Sequence, residues 1–281
     1  MNLKIVTDST CDLPAEIVQE YGVRVIPMYI NFGEEGYLDG IEITRQEFYT
    51  RLPDSDPFPT TAAPSLDKFR AVYTQLMQDG ADEILSIHIS ASLSAVMGMA
   101  QTAAKDFKTI PVSVYDSKQL SLGTGFQVLT AAKAAAEGLS MKEILTLLND
   151  QASRSYVFAA LDTLEYLKRS GRMNAFMANL GSILQVKPIL SMHAGNPGAE
   201  RVRTKEGSIK RLIDLVAALG PLEKVALVHT NARQDAEELW QKAKHLFSEQ
   251  ELPLSIDVTP VLGAHLGPGA VGFTCISKTK Q

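Results

Sequence analysis

Short apolar segments that are typical of β-strands alternate with helix-like segments along most of this chain. Residues 3–6 predict the first strand, residues 13–21 the first helix and residues 23–30 the second strand. A strand, a polar turn and a helix in this order are typical of the βαβ unit of a parallel sheet. Further strands are predicted at residues 83–89, 112–115, 157–161, 186–192, 225–229, 254–258 and 270–276. The pattern therefore predicts an α/β protein.

The length of 281 residues is sufficient for one large or two ordinary domains. We expect an N-terminal α/β domain of residues 1–155 with a parallel doubly wound sheet, and a C-terminal α/β domain of residues 156–281 with a mixed sheet. Within the first domain, Thr44 and Glu47 have the spacing of a capping box and predict a helix over residues 44–52. Residues 32–43 predict a loop or short hairpin, and the proline-rich residues 54–64 a loop.

Composition excludes several classes of protein. The net charge is −5, so we expect no general attraction to nucleic acid or to an anionic membrane. No apolar run approaches the roughly 20 residues of a membrane span, and the N-terminus reads as a strand instead of a signal peptide. Cys11 and Cys275 are far apart in sequence, which fits a cytoplasmic protein without a structural zinc site.

Common cofactor and nucleophile motifs are missing from the sequence. There is no GxxxxGK[ST] phosphate loop and no GxSxG elbow, and the GxG at residues 123–125 lacks the rest of a dinucleotide fingerprint. The five histidines, at positions 88, 193, 229, 245 and 265, show no metal-ligand spacing. His88 lies in an apolar strand and is interpreted as a core residue. We therefore predict neither a metal site nor a cofactor.

Hydroxyl side chains are concentrated at the ends of the predicted strands and in the loops before helices. They are Ser9, Thr10, Thr60, Thr61, Ser90, Ser92, Ser94 and Ser117. In a doubly wound sheet the carboxyl ends of the strands converge on one edge, where ligands bind. Hydroxyls and helix N-termini bind a carboxylate or phosphate without much fixed charge. Each hydroxyl taken singly is also explained as an ordinary helix cap.

Residues 263–272 contain four glycines, one proline and His265. Such a sequence predicts a tight loop at the entry of the last strand, from which His265 is presented. Glycine allows the backbone to approach a ligand closely, and the N–H groups of such a loop can form an anion-binding concavity. A purely structural turn is the alternative.

Acidic residues at strand ends support a second hypothesis. Asp8 and Asp116 both follow predicted strands, and together with His265 they could serve a small-molecule phosphotransfer or hydrolase enzyme. That hypothesis requires the three groups to lie within hydrogen-bonding reach of one another. Capping of the adjacent turns is the structural alternative for both acids.

The motifs taken together resemble the DegV family, whose fatty-acid-binding members are also called FakB. The resemblance covers the whole chain and rests on the order of its motifs. They lie at residues 6–10, 59–65, 89–94, 115–117, 167–172, 187–190, 202–204 and 263–272, the last being a GxHxGPGxxG ending.

This resemblance implies two α/β domains with a long-chain fatty acid in a tunnel between them. By similarity, Thr61 and Ser94 hold the carboxylate, with His265 alongside and Ser90 and Ser92 in the same loop as Ser94. The resemblance also implies a partner, a cytoplasmic fatty acid kinase that phosphorylates the bound acid to an acyl phosphate for phospholipid synthesis. Arg203 is expected to face that kinase. The chain itself is then a non-catalytic lipid-binding subunit.

Two segments depart from the family pattern. The usual Thr-Ser-Gln-Pro-Ser is Thr-Ala-Ala-Pro-Ser at residues 61–65, and the usual Leu-Ser-Gly-Thr-Tyr is Leu-Ser-Ala-Val-Met at residues 93–97. Either change is expected to shift the preferred acyl chain or the head-group geometry. Candidate tunnel-lining residues, for which plain core packing is the alternative, are Phe176, Met177, Leu180, Ile183 and Leu184.

Overall fold

The computed structural model describes residues 2–177, 187–247 and 254–278. Within these residues there are thirteen strands, which we label in chain order. They are β1 (Leu3–Asp8), β2 (Arg24–Ile26), β3 (Tyr29–Phe32), β4 (Glu35–Leu38), β5 (Thr60–Ala62), β6 (Glu83–His88), β7 (Val112–Asp116), β8 (Ser155–Ala160), β9 (Lys187–His193), β10 (Asn196–Val202), β11 (Leu222–His229), β12 (Ser255–Asp257) and β13 (Val271–Ser277).

The α-helices are labelled in the same way. They are α1 (Ala15–Glu20), α2 (Arg45–Arg51), α3 (Leu66–Gln78), α4 (Val96–Ala104), α5 (Leu122–Ala136), α6 (Met141–Arg154), α7 (Glu165–Arg169), α8 (Met173–Met177), α9 (Lys205–Ala218), α10 (Arg233–Ala243) and α11 (Pro260–Leu266). None of these helices has the length and apolar character needed to cross a bilayer.

The first half of the chain forms a four-stranded parallel sheet in the order β2-β1-β6-β7. Its side chains alternate between two apolar layers, as the two-residue period of a strand requires. Ile5, Leu85 and Ile87 pack against α5 and α6, whereas Val6 and Ile84 pack with α3 and α4. Helices therefore cover both faces, which confirms the predicted parallel doubly wound sheet.

The second half forms a six-stranded sheet in the order β10-β9-β8-β13-β11-β12. The β11–β12 pair is parallel and the other pairs are antiparallel. The predicted mixed sheet is thus confirmed. The strand expected over residues 186–192 is present as β9, and β9 and β10 form a hairpin around Ala194 and Gly195.

A third sheet, in the order β4-β3-β5, is antiparallel and was not predicted as a sheet. The single strand expected over residues 23–30 is wrong, because it divides into β2 and β3 on either side of Pro27, which has no N–H to donate to a ladder. The loop expected over residues 54–64 is also wrong in part. Residues Thr60–Ala62 form β5 because they pair with β3, in the register Ile30 to Thr61.

The tight loop predicted over residues 263–272 is wrong in its first part. Residues Pro260–Leu266 form α11, with Pro260 at its first turn, and the glycine loop begins only at Gly267. Gly263 fits inside this helix because a Cβ atom there would lie 2.4 Å from the Tyr49 hydroxyl oxygen. Gly267 has φ +75°, and a Cβ would lie 2.2 Å from the Tyr166 ring. His265 therefore sits on a helix instead of a loop.

Buried polar contacts join the two halves at the turn before α11. The Thr259 N–H donates to Asp12 Oδ1 at 2.8 Å, and the Thr259 hydroxyl donates to Asp39. Ser121 Oγ donates to the other Asp12 oxygen at 2.6 Å, and Arg45 pairs with Asp12 at 3.1 Å. Burial raises the pKa of the Asp12 carboxyl to about 7, although the Arg45 charge and these hydrogen bonds favour the carboxylate. Asp12 therefore titrates in the folded protein near neutral pH.

The substitution Asp12→Asn is expected to flatten the pH dependence of stability. In the unfolded chain an aspartate titrates at about pH 4. Between that pH and about 7 the folded protein therefore binds more protons than the unfolded chain. The free energy of unfolding should then fall by a few kcal/mol as pH rises through this window, and remain low above it. Asparagine removes this titration and tolerates the left-handed backbone of position 12 (φ 54°).

Urea unfolding midpoints at pH 4.5 and pH 8 test this expectation. The difference between the two midpoints should shrink in Asp12→Asn. The control Asp67→Asn changes a carboxylate whose side chain is 88% exposed, and it should keep the wild-type difference. An Asp12→Asn protein with the wild-type difference would contradict the assignment.

Candidate functional site

A cavity of about 90 Å³ lies where the carboxyl ends of β1 and β6 meet α11. Five polar residues line it, namely Thr10, Thr61, Ser94, Arg172 and His265. The rest of the lining is apolar and comprises Met28, Ala63, Ile89, Leu93, Ala95, Leu120, Leu167, Phe176, Val261, Leu262 and Leu266. Residues from both halves of the chain thus line one cavity, whose wall is mainly apolar and carries a few polar groups.

A second cavity of about 30 Å³ adjoins the first. Leu120, Phe176, Leu262 and Leu266 line both cavities. Beyond these shared residues the second cavity is bounded by strand residues of the mixed sheet, Val157, Ala159, Leu190, Ser191, Met192 and Val228, together with Ser121 and Val258. The two cavities therefore share an apolar wall, and the second lies against the face of the mixed sheet.

His265 and Thr61, both predicted site residues, are in direct contact. The His265 Nε2 atom lies 3.1 Å from Thr61 Oγ1, and the buried Nδ1 atom has no hydrogen-bond partner within the described parts of the chain. Burial, together with the positive charge of Arg172, lowers the pKa of His265 to about 3. The imidazole is therefore neutral at physiological pH. A neutral imidazole has one N–H donor and one lone-pair acceptor for hydrogen bonding.

The three predicted serines occupy different positions. Ser94 lines the first cavity, where its Oγ accepts from the Val96 N–H at 3.4 Å. Ser90 is fully buried, and its Oγ lies 2.9 Å from that of Ser92. Neither Ser90 nor Ser92 lines either cavity. The structure thus brings together Thr61, Ser94 and His265 around the first cavity, while the buried Ser90 and the exposed Ser92 bond to each other outside it.

Arg203, the residue predicted to face a partner, lies away from the cavities. It follows the last residue of β10 and precedes α9, and it is exposed. Of the predicted tunnel-lining residues, Phe176 lines both cavities. Leu180, Ile183 and Leu184 fall outside the described residues, and the side chain of Met177 is also outside them.

Sequence reasoning did not assign Arg172 a role at the site. Arg172 follows Gly171 at the end of α7 and lines the first cavity, with Nη1 donating to the Ser170 carbonyl at 2.9 Å. The sequence offered one signal for Arg172, which is its position just before an apolar segment that includes Phe176. Thr10 belongs to the strand-end hydroxyls that the sequence predicts as a binding site, and it lines the first cavity. The Thr10 hydroxyl donates its proton to Asp8, so toward the cavity it can act only as a hydrogen-bond acceptor.

The acids of the enzyme hypothesis have separate partners. Asp8 is fully buried and accepts hydrogen bonds from His88 Nδ1 at 2.9 Å and from the Thr10 N–H at 3.1 Å. Asp116 accepts from the Lys118 N–H at 2.8 Å, whereas His265 contacts Thr61. These bonds do not join Asp8, Asp116 and His265 to one another. The residues that the structure describes also include no group of three or more His, Cys, Asp or Glu side chains suited to a metal ion.

Asp8 and His88 belong to a buried network that stabilises the ends of β1 and β6. His88 Nε2 lies 2.7 Å from Ser86 Oγ, and Tyr73 donates to the same Oγ at 2.8 Å. Burial opposes the charged form of Asp8, but hydrogen bonds from His88 and Thr10 outweigh it, and the pKa of Asp8 lies below its usual value. His88 is thus a core histidine with both nitrogens bonded, as the sequence predicts.

Comparison with protein families places the whole chain in one group. The sequence model of the DegV family of uncharacterised proteins matches residues 2–278. A DegV domain-containing protein of Streptomyces coelicolor is 34% identical over 281 residues, which cover 99% of each chain. The DegV protein of Bacillus subtilis is 32% identical over 280 residues, which cover 97% of this chain and 98% of that protein.

Solved structures show the same fold. A fatty-acid-binding DegV family protein of Thermus thermophilus superposes with a TM-score of 0.89 at 33% identity, over 99% of this chain and 100% of that one. DegV of Bacillus subtilis, a fatty-acid-binding protein, superposes with a TM-score of 0.88 at 30% identity, over 98% of this chain and 99% of that one. These likenesses confirm the predicted α/β fold class.

Proposed function

Because the chain belongs to the DegV family, we propose that it binds a long-chain fatty acid in a tunnel formed by its two adjoining cavities. The resemblance predicted from the sequence motifs is confirmed at the level of the family. The observation that carries the proposal is that the two adjoining cavities differ in the polarity of their lining. Polar groups are gathered in the first cavity, and the second continues from it along apolar side chains.

The apolar part of such a ligand supplies most of its binding free energy. Burial of about a dozen methylenes gains roughly 10 kcal/mol at ~0.8 kcal/mol each, before the costs of immobilisation. The head group then needs mainly orientation. A few hydrogen bonds are sufficient for that purpose.

We propose that Thr61, Ser94 and His265 orient the carboxylate, and we add Arg172 to this set. Thr61 and Ser94 can donate their hydroxyl protons, and the guanidinium of Arg172 is a permanent positive charge that matches a carboxylate. Ser90 and Ser92 support the same site from outside the cavity. The Ser94 N–H donates to the Ser90 carbonyl at 3.2 Å, so these serines hold the loop that presents Ser94.

The proposed tunnel runs between an N-terminal domain of residues 1–155 and a C-terminal domain of residues 156–281. This division is supported by the start of β8 at Ser155, since all six strands of the mixed sheet follow that point. The parallel sheet, in contrast, is complete by Asp116. The apolar core nevertheless spans both halves, since Val157 and Val228 of the mixed sheet and Leu262 of α11 cluster with residues of the first half.

We further propose that the protein presents the carboxylate to a cytoplasmic fatty acid kinase and has no catalytic role itself. The kinase would form an acyl phosphate for phospholipid synthesis. Ser94 and Arg172 lie in connecting segments at the polar end of the first cavity, which supports a carboxylate that a partner can reach, as such a transfer requires. Arg203, exposed after β10, is proposed to contact the kinase.

The purified protein is expected to carry fatty acid. Denaturing extraction followed by mass spectrometry should detect it, and lipid-stripped protein should take up added palmitic or oleic acid. Leu262→Trp fills the junction between the cavities and should lower the bound lipid at least tenfold. The control Leu147→Trp changes a side chain that is 42% exposed and should keep the wild-type content. A wild-type protein without lipid and without uptake would refute the function.

Loss of one head-group hydroxyl should weaken binding moderately. Thr61→Ala and Ser94→Ala each remove a hydrogen bond to a charged group, which is worth about 1–2 kcal/mol, or a roughly 5- to 30-fold rise in Kd. Titration of lipid-stripped protein with a fluorescent fatty acid measures this change. Thr102→Ala on α4, whose hydroxyl bonds only to the Gly98 carbonyl in the described structure, is the matched control and should bind normally. Wild-type affinity in both site variants would exclude these residues.

Arg203→Ala should separate binding from transfer. The variant is expected to retain fatty acid with wild-type affinity, because Arg203 lines neither cavity. Acyl phosphate formation with a bacterial fatty acid kinase and ATP should slow at least tenfold. Arg233→Ala removes another arginine, whose side chain is 81% exposed, and should leave the transfer rate unchanged. Weakened lipid binding with a normal transfer rate would place Arg203 at the pocket instead.

A further inference from the structure

Helix α11 is bonded at both ends to the same small sheet. At its start, the hydroxyl of Thr259 donates to Asp39, which directly follows β4. At its end, His265 Nε2 lies 3.1 Å from Thr61 Oγ1 on β5. Strands β4 and β5 both pair with β3. The two polar contacts therefore fix the helix relative to one three-stranded unit.

The middle of the helix is held as well. Tyr49 of α2 donates its hydroxyl to the Val258 carbonyl at 2.9 Å. The ring of Tyr49 lies so close to Gly263 that no side chain fits between them. The helix has seven residues and a length of about 10 Å, so it moves as one piece. Displacement of its start is thus transmitted to His265 at its last turn.

Asp39 is suited to hold that start and has no evident contact with a ligand. It is 3% exposed and lines neither cavity. One carboxyl oxygen accepts the hydroxyl protons of both Ser9 and Thr259. Its backbone N–H donates to the Met28 carbonyl at 3.0 Å, which ties it to the segment between β2 and β3. The other carboxyl oxygen, Oδ1, is buried and without a partner in the described parts of the chain.

A buried carboxyl oxygen without a partner costs free energy, and an apolar residue of similar size would avoid that cost. The presence of an acid at position 39 is therefore better explained by a role at the site than by stability alone. We propose that Asp39 is a positioning residue for the fatty acid head group. Through Thr259 it sets the position of α11 and so keeps His265 within hydrogen-bonding distance of Thr61. The contact of 3.1 Å has little tolerance, since a shift of about 0.5 Å exceeds the usual limit.

This inference rests on the proposed function, and it differs from a structural role in one measurable respect. A residue that only stabilises the fold affects every ligand of the cavity alike. A residue that sets the His265–Thr61 pair affects ligands with a carboxylate more than ligands without one. Palmitic acid and hexadecanol have the same chain length and differ at the head group, so the ratio of their Kd values reports on head-group recognition.

The test compares four proteins with these two ligands. Asp39→Leu removes the acceptor, and Thr259→Val removes the donor while keeping its shape and the N–H bond to Asp12. Both should weaken palmitic acid at least tenfold and hexadecanol less than twofold. Asp39→Asn keeps an oxygen that can accept from Thr259 and should stay within about threefold of the wild type for both ligands. Thr259→Val carries the test if Asp39→Leu does not fold.

A double substitution checks the route. In a Thr61→Ala background, Asp39→Leu should change the acid-to-alcohol ratio less than twofold, because the pair on which it acts is already broken. An equal loss for both ligands, or an undiminished loss in the Thr61→Ala background, would overturn the positioning role. A wild-type protein that binds neither ligand would instead refute the proposed function, so the two failures are distinguishable.

Discussion

Two buried acidic side chains, Asp12 and Asp39, both bond Thr259, and the cavity depends on this contact. A helix of seven residues such as α11 has no stability of its own in water. It forms here because both acids accept hydrogen bonds from Thr259 at its first turn and its side chains pack into the core. Val261, Leu262, His265 and Leu266 of this helix line the cavity. The wall of the proposed site thus comes from one half of the chain and is held by the other.

The polar groups of the cavity follow from the cost of burying charge. An unpaired ion inside an apolar space is expensive, whereas hydroxyls and a neutral imidazole cost little and still orient a carboxylate. Arg172 is the exception, and it lies at the end of α7, where its guanidinium also bonds a backbone carbonyl. The Asp8–His88 network shows the opposite arrangement. Its charged and polar groups are bonded to one another, and it stabilises the strand ends behind the cavity.

Local signals in the sequence predicted local structure well. The Thr44–Glu47 capping box forms as expected, and the doubly wound sheet follows from strand, turn and helix patterns. The division of the strand expected over residues 23–30 has a local cause, Pro27, whereas the other two errors depend on distant partners. Residues 60–62 form a strand because β3 pairs with them. Residues 260–266 form a helix because Tyr49 and Asp39 hydrogen-bond the segment just before it. Both outcomes depend on partners far away in the sequence, which periodicity does not report.

The sequence by itself determined the α/β class, the order of the strands along the chain and the set of hydroxyls from which a site could be built. The family resemblance favoured Ser94, which lines the cavity, over Ser90, which is fully buried, but the residues alone could not, because a serine that caps a turn and a serine that faces a ligand look alike in sequence. Only the tertiary structure decided that Thr61 meets His265, that Arg172 joins them and that Asp39 anchors their helix. Such contacts span up to 220 positions, and they exist only once the packing of distant apolar residues has brought those positions together.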